Sequence, residues 1–312
     1  PRMPYWEAME RFGTDRPDVR FGMELKDVTD LGKESDFKVF KTVASKGGKI
    51  SGLCVKSGAL FSRKEIDDLT SEASIYGAKG LAWMKVTESG LESNIVKFFS
   101  DEVQNKLIER LQAEPGDLLL YVADEPDVVY AALAHLRLFI GAKQGLIDKS
   151  RPAFLWVVDW PMFEKDDDGN PTPSHHPFTA PHPDDLDKFG VDPFAIRAQA
   201  YDLILNGIEL GGGSIRIHQR DVQYKMFDQL GIDKDAAQEK FGFLLDAFRY
   251  GAPPHGGIAF GYDRMIMLML DAPNIREVIA FPKNQRAQAV MESAPSGIDP
   301  EQLKELGLRL KL

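Results

Sequence analysis

The sequence predicts an α+β protein: an antiparallel or mixed sheet flanked by helices and interrupted by a smaller, inserted α+β module. Three observations carry this. AQAYDLILNGIELGGGSIRIH (198–218) and GGIAFGYDR (256–264) read as strands with helical stretches behind them. From about 37 to 140 the texture changes to short strands alternating with helices, apolar enough to bury a core of their own. At 312 residues, 43% hydrophobic and 28% charged, the chain is globular and longer than one ordinary domain. The expected division is residues 1–29 as a first segment of the main domain, 30–135 as the module and 136–312 as the second segment.

Taken in order, PRMPYWEAMERFGTDRPDVRFGMEL gives a short extended piece, a helix over Tyr5 to Phe12 and a polar loop. FKVFKTVA and KISGLCVK alternate apolar and polar residues on either side of Ser45-Lys46-Gly47-Gly48, which predicts a hairpin. Ser62 and Glu65 have capping-box spacing ahead of Ile66, Leu69 and Ala73 at helical intervals. GLAWMKV reads as a strand, SDEVQNKLIERLQA as a helix, DLLLYVAD as a buried strand and EPDVVYAALAHLRLFIGAKQGL as a long helix. FLWVVDWPMF is a strand too apolar to be half-exposed, and EKDDDGNPTPS an acidic hairpin tip. A strand at HHPFTAP, the strands of 198–218, helices around Asp221–Leu230 and Lys234–Arg249, the glycine strand and a C-terminal helix with a tail complete the chain.

Composition excludes some functions. A net charge of -10 argues against coating nucleic acid by bulk electrostatics, although a local basic face can sit on an acidic protein. A single cysteine, Cys54, forms no internal disulfide, which suits a reducing, cytoplasmic setting. No apolar run reaches membrane-spanning length, so no membrane partner is expected.

The residues able to do chemistry cluster late. Asp202 and Glu209 lie seven apart around LILNGI. On one straight strand they face oppositely, but a turn or bulge at Asn206-Gly207 would let them converge to hold Mg²⁺ beside a polyphosphate. Two solvated acids at strand ends is the plainer alternative. Arg216 follows Gly211-Gly212-Gly213, and alternation puts Ser214 and Arg216 on one face. Such an arginine can grip a small carboxylate, or form a structural ion pair. His175 and His176 point to opposite faces if extended, and no cysteine or third histidine stands at zinc-ligand spacing. One of them can meet a ligand carboxylate while the other packs. Around GYDR the glycines allow close backbone approach, and Arg264 can stack on a base or hold phosphate oxygens; tight packing alone is the alternative. The spacing is neither that of a dinucleotide fingerprint nor of a P-loop.

PRMPYWEAMERFGTDRPDVRFG, FLWVVDWPMFE, SHHPFTAPHPDD, AYDLILNGIELGGGSIRIH, GAPPHGGIAFGYDR and IREVIAFPKN, in this order, resemble the class II aminoacyl-tRNA synthetases, and closely the bacterial-type aspartyl family. The resemblance implies that Arg264 lies against ATP with Gly261, Tyr262 and Asp263 beside it. It implies that Arg216 takes the side-chain carboxylate of aspartate, with His175 and His176 defining that pocket. Asp202 and Glu209 would hold Mg²⁺ and the ATP phosphates, and residues 30–135 would be the insertion that bacterial members carry. The implied activity is formation of aspartyl-adenylate and its transfer to tRNA(Asp), with tRNA(Asn) as a second candidate, by a homodimeric parent enzyme. The family's anticodon-binding barrel and its first two sequence motifs have no counterpart in these residues. The chain is therefore expected to be a C-terminal portion, inactive by itself. Two rival readings are an ammonia-dependent asparagine synthetase-like enzyme on the same fold, and a non-catalytic fragment that binds RNA or a partner.

Overall fold

The computed structural model describes residues 1–310. Its elements in chain order are β1 (Arg2–Pro4), α1 (Tyr5–Phe12), β2 (Lys26–Asp27), α2 (Thr29–Glu34), α3 (Lys38–Ser45), β3 (Lys49–Val55), α4 (Arg63–Ser74), β4 (Ala82–Thr87), β5 (Gly90–Glu92), α5 (Asp101–Arg110), β6 (Leu118–Asp124), α6 (Pro126–Lys143) and β7 (Phe154–Pro161). They continue as β8 (Phe163–Lys165), β9 (Pro171–Pro173), β10 (Arg197–Leu205), β11 (Ile208–Ile215), α7 (Arg220–Gln229), α8 (Lys234–Phe248), β12 (Gly256–Phe260), α9 (Tyr262–Met269) and α10 (Pro300–Glu305). The fold is α+β.

Two five-stranded sheets organise it. One runs β1-β7-β10-β11-β12 and the other β2-β3-β6-β4-β5, with β8 and β9 as a separate ribbon. The first is mixed, because β1 lies parallel to β7 while β7, β10 and β11 pair antiparallel. The second takes its strands only from between Lys26 and Asp124. It begins ahead of position 30, and α6 runs on past position 135, so neither expected boundary coincides with the end of an element.

β6 is apolar throughout because it is covered on both faces. Leu118, Leu120 and Val122 pack with Ile66 and Leu69 of α4 and with Val129, Leu133 and Leu136 of α6. The alternate residues Leu119 and Tyr121 pack with Leu31, Phe40 and Leu107 of α2, α3 and α5. Each such leucine contributes roughly 1.5–3 kcal/mol on burial. The Ser62–Glu65 capping box is formed, with both reciprocal hydrogen bonds. In the first sheet Leu155, Val157 and Ile204 pack with Ala8 and Phe12 of α1.

Three sequence expectations are corrected. FKVFKTVA forms the helix α3, which buries Phe40 and Ala44, and only KISGLCVK forms a strand. Phe40 meets Phe37, Phe99 and Tyr121 at ring distances of 5.0, 5.9 and 6.0 Å, contacts that a helical spacing delivers together. FLWVVDWPMF is half-exposed: Leu155, Val157 and Trp160 are buried while Phe154 is 47% exposed. HHPFTAP is a loop that pairs only through isolated bridges at Thr179 and Pro181, since Pro177 and Pro181 lack the N–H a ladder needs.

A long-range clamp holds the loop after α1. Arg137, on α6 and only 1% exposed, donates from Nε to the carbonyl of Met23 (3.0 Å). Its Nη2 donates to the carbonyls of Asp18, Phe21 and Gly22 at 2.9, 2.8 and 2.9 Å. The guanidinium lies 3.9 Å from the ring centre of Phe21 and 4.8 Å from that of Phe12. Phe21 in turn occupies the space a side chain at Gly141 would need, a Cβ there coming within 2.7 Å of its ring.

Residues Pro1–Ala259 form one compact unit, and Phe260–Leu312 a second. Within the second, α9 buries Met267, and Asp299 caps α10 by accepting from the N–H of Glu301. Among the described residues no helix is long and apolar enough to cross a membrane.

Candidate active site on the hairpin β10–β11

β10 and β11 are joined by Asn206 and Gly207, both left-handed at φ 55° and 82°, the two-residue turn that suits the twist of paired strands. Cross-strand partners share a face. Ile204 lies opposite Glu209, so Asp202, two residues from Ile204, comes to the same side as Glu209. The register then shifts, with Leu203 opposite Gly211 and Leu210 as the extra residue, which puts Gly212 directly across from Asp202. A Cβ at Gly212 would lie 2.2 Å from Oδ1 of Asp202 and 3.6 Å from Oε1 of Glu209. The missing side chain is what lets both carboxylates fill that space. Burial, and then the neighbouring charge of Glu209, pushes the Asp202 carboxyl up to about 7.

By alternation Gly212, Ser214 and Arg216 follow one another on this face. Beyond Ala200 and Ser214 the hairpin opens, and the loop Phe178–His182 enters between its arms. The Ala180 N–H donates to Ile215, the Ile217 N–H to Phe178, and the Gln199 N–H to Ala180, each bond 2.8 Å long. Thr179 and Ser214, both buried, bring their hydroxyls within 3.3 Å. On its other side the Arg216 N–H donates to the His255 carbonyl at 2.9 Å. The Arg216 backbone is thus fixed by both neighbours, and its side chain is half-buried.

The two histidines separate. His175 sets its ring edge-on to Trp160, with centres 5.1 Å apart, and burial lowers its basicity against the opposing charge of Glu164. His176 accepts the Phe178 N–H at Nδ1 (3.2 Å), so a neutral ring keeps its proton on Nε2. Burial first, and the charge of Arg216 second, hold His176 below the ordinary histidine range. His176, whose carbonyl accepts the Thr179 N–H, thus stands on the loop that pairs with Ile215, Arg216 and Ile217.

Gly257 is tied to the hairpin. The Tyr201 hydroxyl donates to its carbonyl at 3.1 Å, and a Cβ at Gly213 would fall 1.8 Å from that same oxygen. Gly261 caps α9, and Tyr262, Asp263 and Arg264 occupy its exposed first turn within the second compact unit.

Thr179 and Tyr201 are structural partners that sequence reasoning passed over. Two cavities lie elsewhere. One of about 550 Å³ is lined by Phe37, Phe40, Leu81, Trp83 and Tyr121, and one of about 700 Å³ by Phe21, Cys54 and Leu111.

Asp202, Glu209 and Arg216 thus share one face of a hairpin that Gly212 relieves. Residues 1–285 match the family model of class II tRNA synthetases (D, K and N), and the chain belongs to that family. It is 55% identical to the aspartate–tRNA(Asp/Asn) ligase of Heliobacterium modesticaldum over all of this chain and 52% of that protein. It is 53% identical to the aspartate–tRNA ligase of Staphylococcus carnosus over all of this chain and 53% of that protein. An aspartyl-tRNA synthetase structure from Entamoeba histolytica aligns with 78% of the chain and 44% of its own, at 20% identity and a TM-score of 0.35, a likeness too slight to argue from. The chain spans about half the length of the curated relatives it matches.

Proposed function

We propose that the protein carrying this sequence is a cytoplasmic aspartate–tRNA ligase that works as a homodimer. Its reaction is activation of L-aspartate by ATP to aspartyl-adenylate, with pyrophosphate released, and then transfer of the aspartyl group to the terminal ribose of tRNA(Asp), with tRNA(Asn) as a second acceptor. The observation that carries this is the convergence of Asp202 and Glu209 around Gly212 on the face that also bears Arg216. Residues 30–135 belong, in this reading, to a module inserted in the catalytic domain.

Arg216 holds the side-chain carboxylate of aspartate, and His175 and His176, on the loop that pairs beside Arg216, define the pocket. A neutral amide facing Arg216 would leave the cation without its partner, at about 2–5 kcal/mol, which rejects asparagine. Arg264, with Gly261, Tyr262 and Asp263, borders ATP. The chemistry itself is positioning and charge stabilisation, the α-carboxylate of aspartate being held in line with the α-phosphorus. Asp202 and Glu209 fit Mg²⁺, being two hard oxygen donors side by side. Among the described residues no group of three or more His, Cys, Asp or Glu is placed to hold a metal, so phosphate and water would complete the shell. When bound, Mg²⁺ supplies neutralisation of phosphate charge.

The test is aspartate-dependent ATP–pyrophosphate exchange with the protein at the length of its relatives. Arg216→Gln should lower kcat/KM for aspartate by at least about 10², the scale for removing one preorganised electrostatic group. Exchange that does not depend on aspartate, or that survives Arg216→Gln, would refute the assignment.

A further inference from the structure

Between His175, packed on Trp160, and Phe178, packed on Phe227 and Phe241 at 6.2 and 5.2 Å, the loop passes through Pro177. Proline has no N–H, so its carbonyl is the only backbone group through which this point can be hydrogen-bonded. Its donor is Nε2 of Gln223, at 2.9 Å. Gln223 stands on α7, directly after the strand that delivers Arg216, and it is 0% exposed. Its own amide oxygen is buried with no hydrogen-bond partner. A buried, half-satisfied amide is a poor choice for stability, and an unbranched apolar side chain of the same length would avoid the desolvation cost. What the amide supplies, and an apolar side chain would not, is the fixed position of Pro177 next to His176.

We infer that Gln223 is a positioning residue: its hydrogen bond to Pro177 sets His176 against Arg216 and so tunes the carboxylate pocket. This rests on the reading of that pocket given above. The tie runs through few atoms. Pro177 fixes the direction of the chain leaving His176, and the Phe178 N–H fixes the His176 ring through Nδ1. A rotation at Pro177 would move both together and shift the His176 ring relative to Arg216, leaving Arg216, Asp202 and Glu209 where the hairpin holds them.

Gln223→Met keeps the length and removes the donor, and Gln223→Glu sets an acceptor against the Pro177 carbonyl. In pyrophosphate exchange with the protein at the length of its relatives, Gln223→Met should raise KM for aspartate roughly tenfold, with kcat and KM for ATP within about twofold, the tenfold rise being about 1.4 kcal/mol. Gln223→Glu should raise it further. The melting temperature of Gln223→Met should equal or exceed that of the unaltered protein. An unchanged KM for aspartate overturns the inference, and so does a fall in kcat and melting temperature together, which would mark a purely structural role. Nitrogen NMR of the His176 imidazole in the 312-residue chain gives an independent reading. The unaltered chain should show the Nε2–H tautomer, and Gln223→Met a tautomer mixture. If the unaltered protein shows no aspartate-dependent exchange, the functional proposal fails, and the imidazole spectra alone decide this one: a tautomer unaffected by Gln223→Met overturns it.

Discussion

Replacing Arg137 by Met should destabilise the protein by about 3 kcal/mol, and the structure supplies the terms. The guanidinium makes four contacts with backbone carbonyls, of which three share the two hydrogens of Nη2. Counted as about three full bonds at the lower bound for a charged donor, about 1.5 kcal/mol each, they contribute about 4–5 kcal/mol. Stacking on Phe21 and Phe12 adds about 1–2 kcal/mol in a desolvated setting. Against this, burial lowers the guanidinium to about 10, a cost of about 3 kcal/mol at neutral pH. Methionine regains that cost and most of the volume, but leaves the carbonyls of Asp18, Phe21, Gly22 and Met23 short of a donor. Lysine keeps the charge and loses the fork, so Arg137→Lys should fall in between, at about 2 kcal/mol. Equilibrium urea unfolding followed by far-ultraviolet circular dichroism measures both. Arg137→Met at or above the stability of the unaltered chain would show that the carbonyl contacts do no more than offset desolvation.

Three further outcomes follow from other sites. Asp202 binds its proton more tightly folded than unfolded, so its contribution to stability falls as pH rises from about 4 to 7 and stays low above that. Asp202→Asn should therefore be more stable than the unaltered chain at pH 8, by about 1 kcal/mol after solvent screening, and no more stable at pH 4; a pH-independent difference in melting would contradict this. Mg²⁺ binding, followed by calorimetry, should strengthen over the same rise, by up to about tenfold per pH unit below 7, and weaken in Asp202→Asn. Gly213→Ala sets a Cβ 1.8 Å from the Gly257 carbonyl oxygen, a backbone atom that cannot rotate aside. It should cost about 1–3 kcal/mol and speed proteolysis near His255, and unaltered digestion would show that β12 can shift to make room. Ser62→Ala removes the side-chain cap of α4 and should cost about 1 kcal/mol, read as a lowered melting temperature; no change would mean the helix end is held by its tertiary contacts alone.

Much of the fold was legible where one period dominates. α1 spans Tyr5–Phe12 as its spacing predicts, and β6 is buried on both faces as its unbroken apolar run requires. FKVFKTVA was ambiguous, because Phe37 and Val39 fit a strand while Phe40 and Ala44 fit a helix, and aromatic partners from distant residues decided it. At the site, Asn206-Gly207 announced a turn. Convergence of Asp202 and Glu209 depends on which residues face each other across the hairpin, and no spacing along a single strand reveals that. The extra residue at Leu210, which brings Gly212 to the acids, had no signature in the sequence. That His175 and His176 have different partners was legible from their adjacency, but prolines on either side make the segment a loop rather than the strand expected.

The clamp around Arg137 has a consequence for anyone who would cut the chain apart. The carbonyl it holds at Asp18 belongs to the residue that seats the β10–β11 turn, where a Cβ on Gly207 would come within 3.0 Å of Asp18 Cβ. α6 serves two packings at once: its Val129, Leu133 and Leu136 cover the second sheet, and its Arg137 braces the loop under the hairpin turn. A deletion that ends inside α6 leaves the acids on a turn with its footing removed. The helix that covers the second sheet is, mechanically, also a support of the β10–β11 turn.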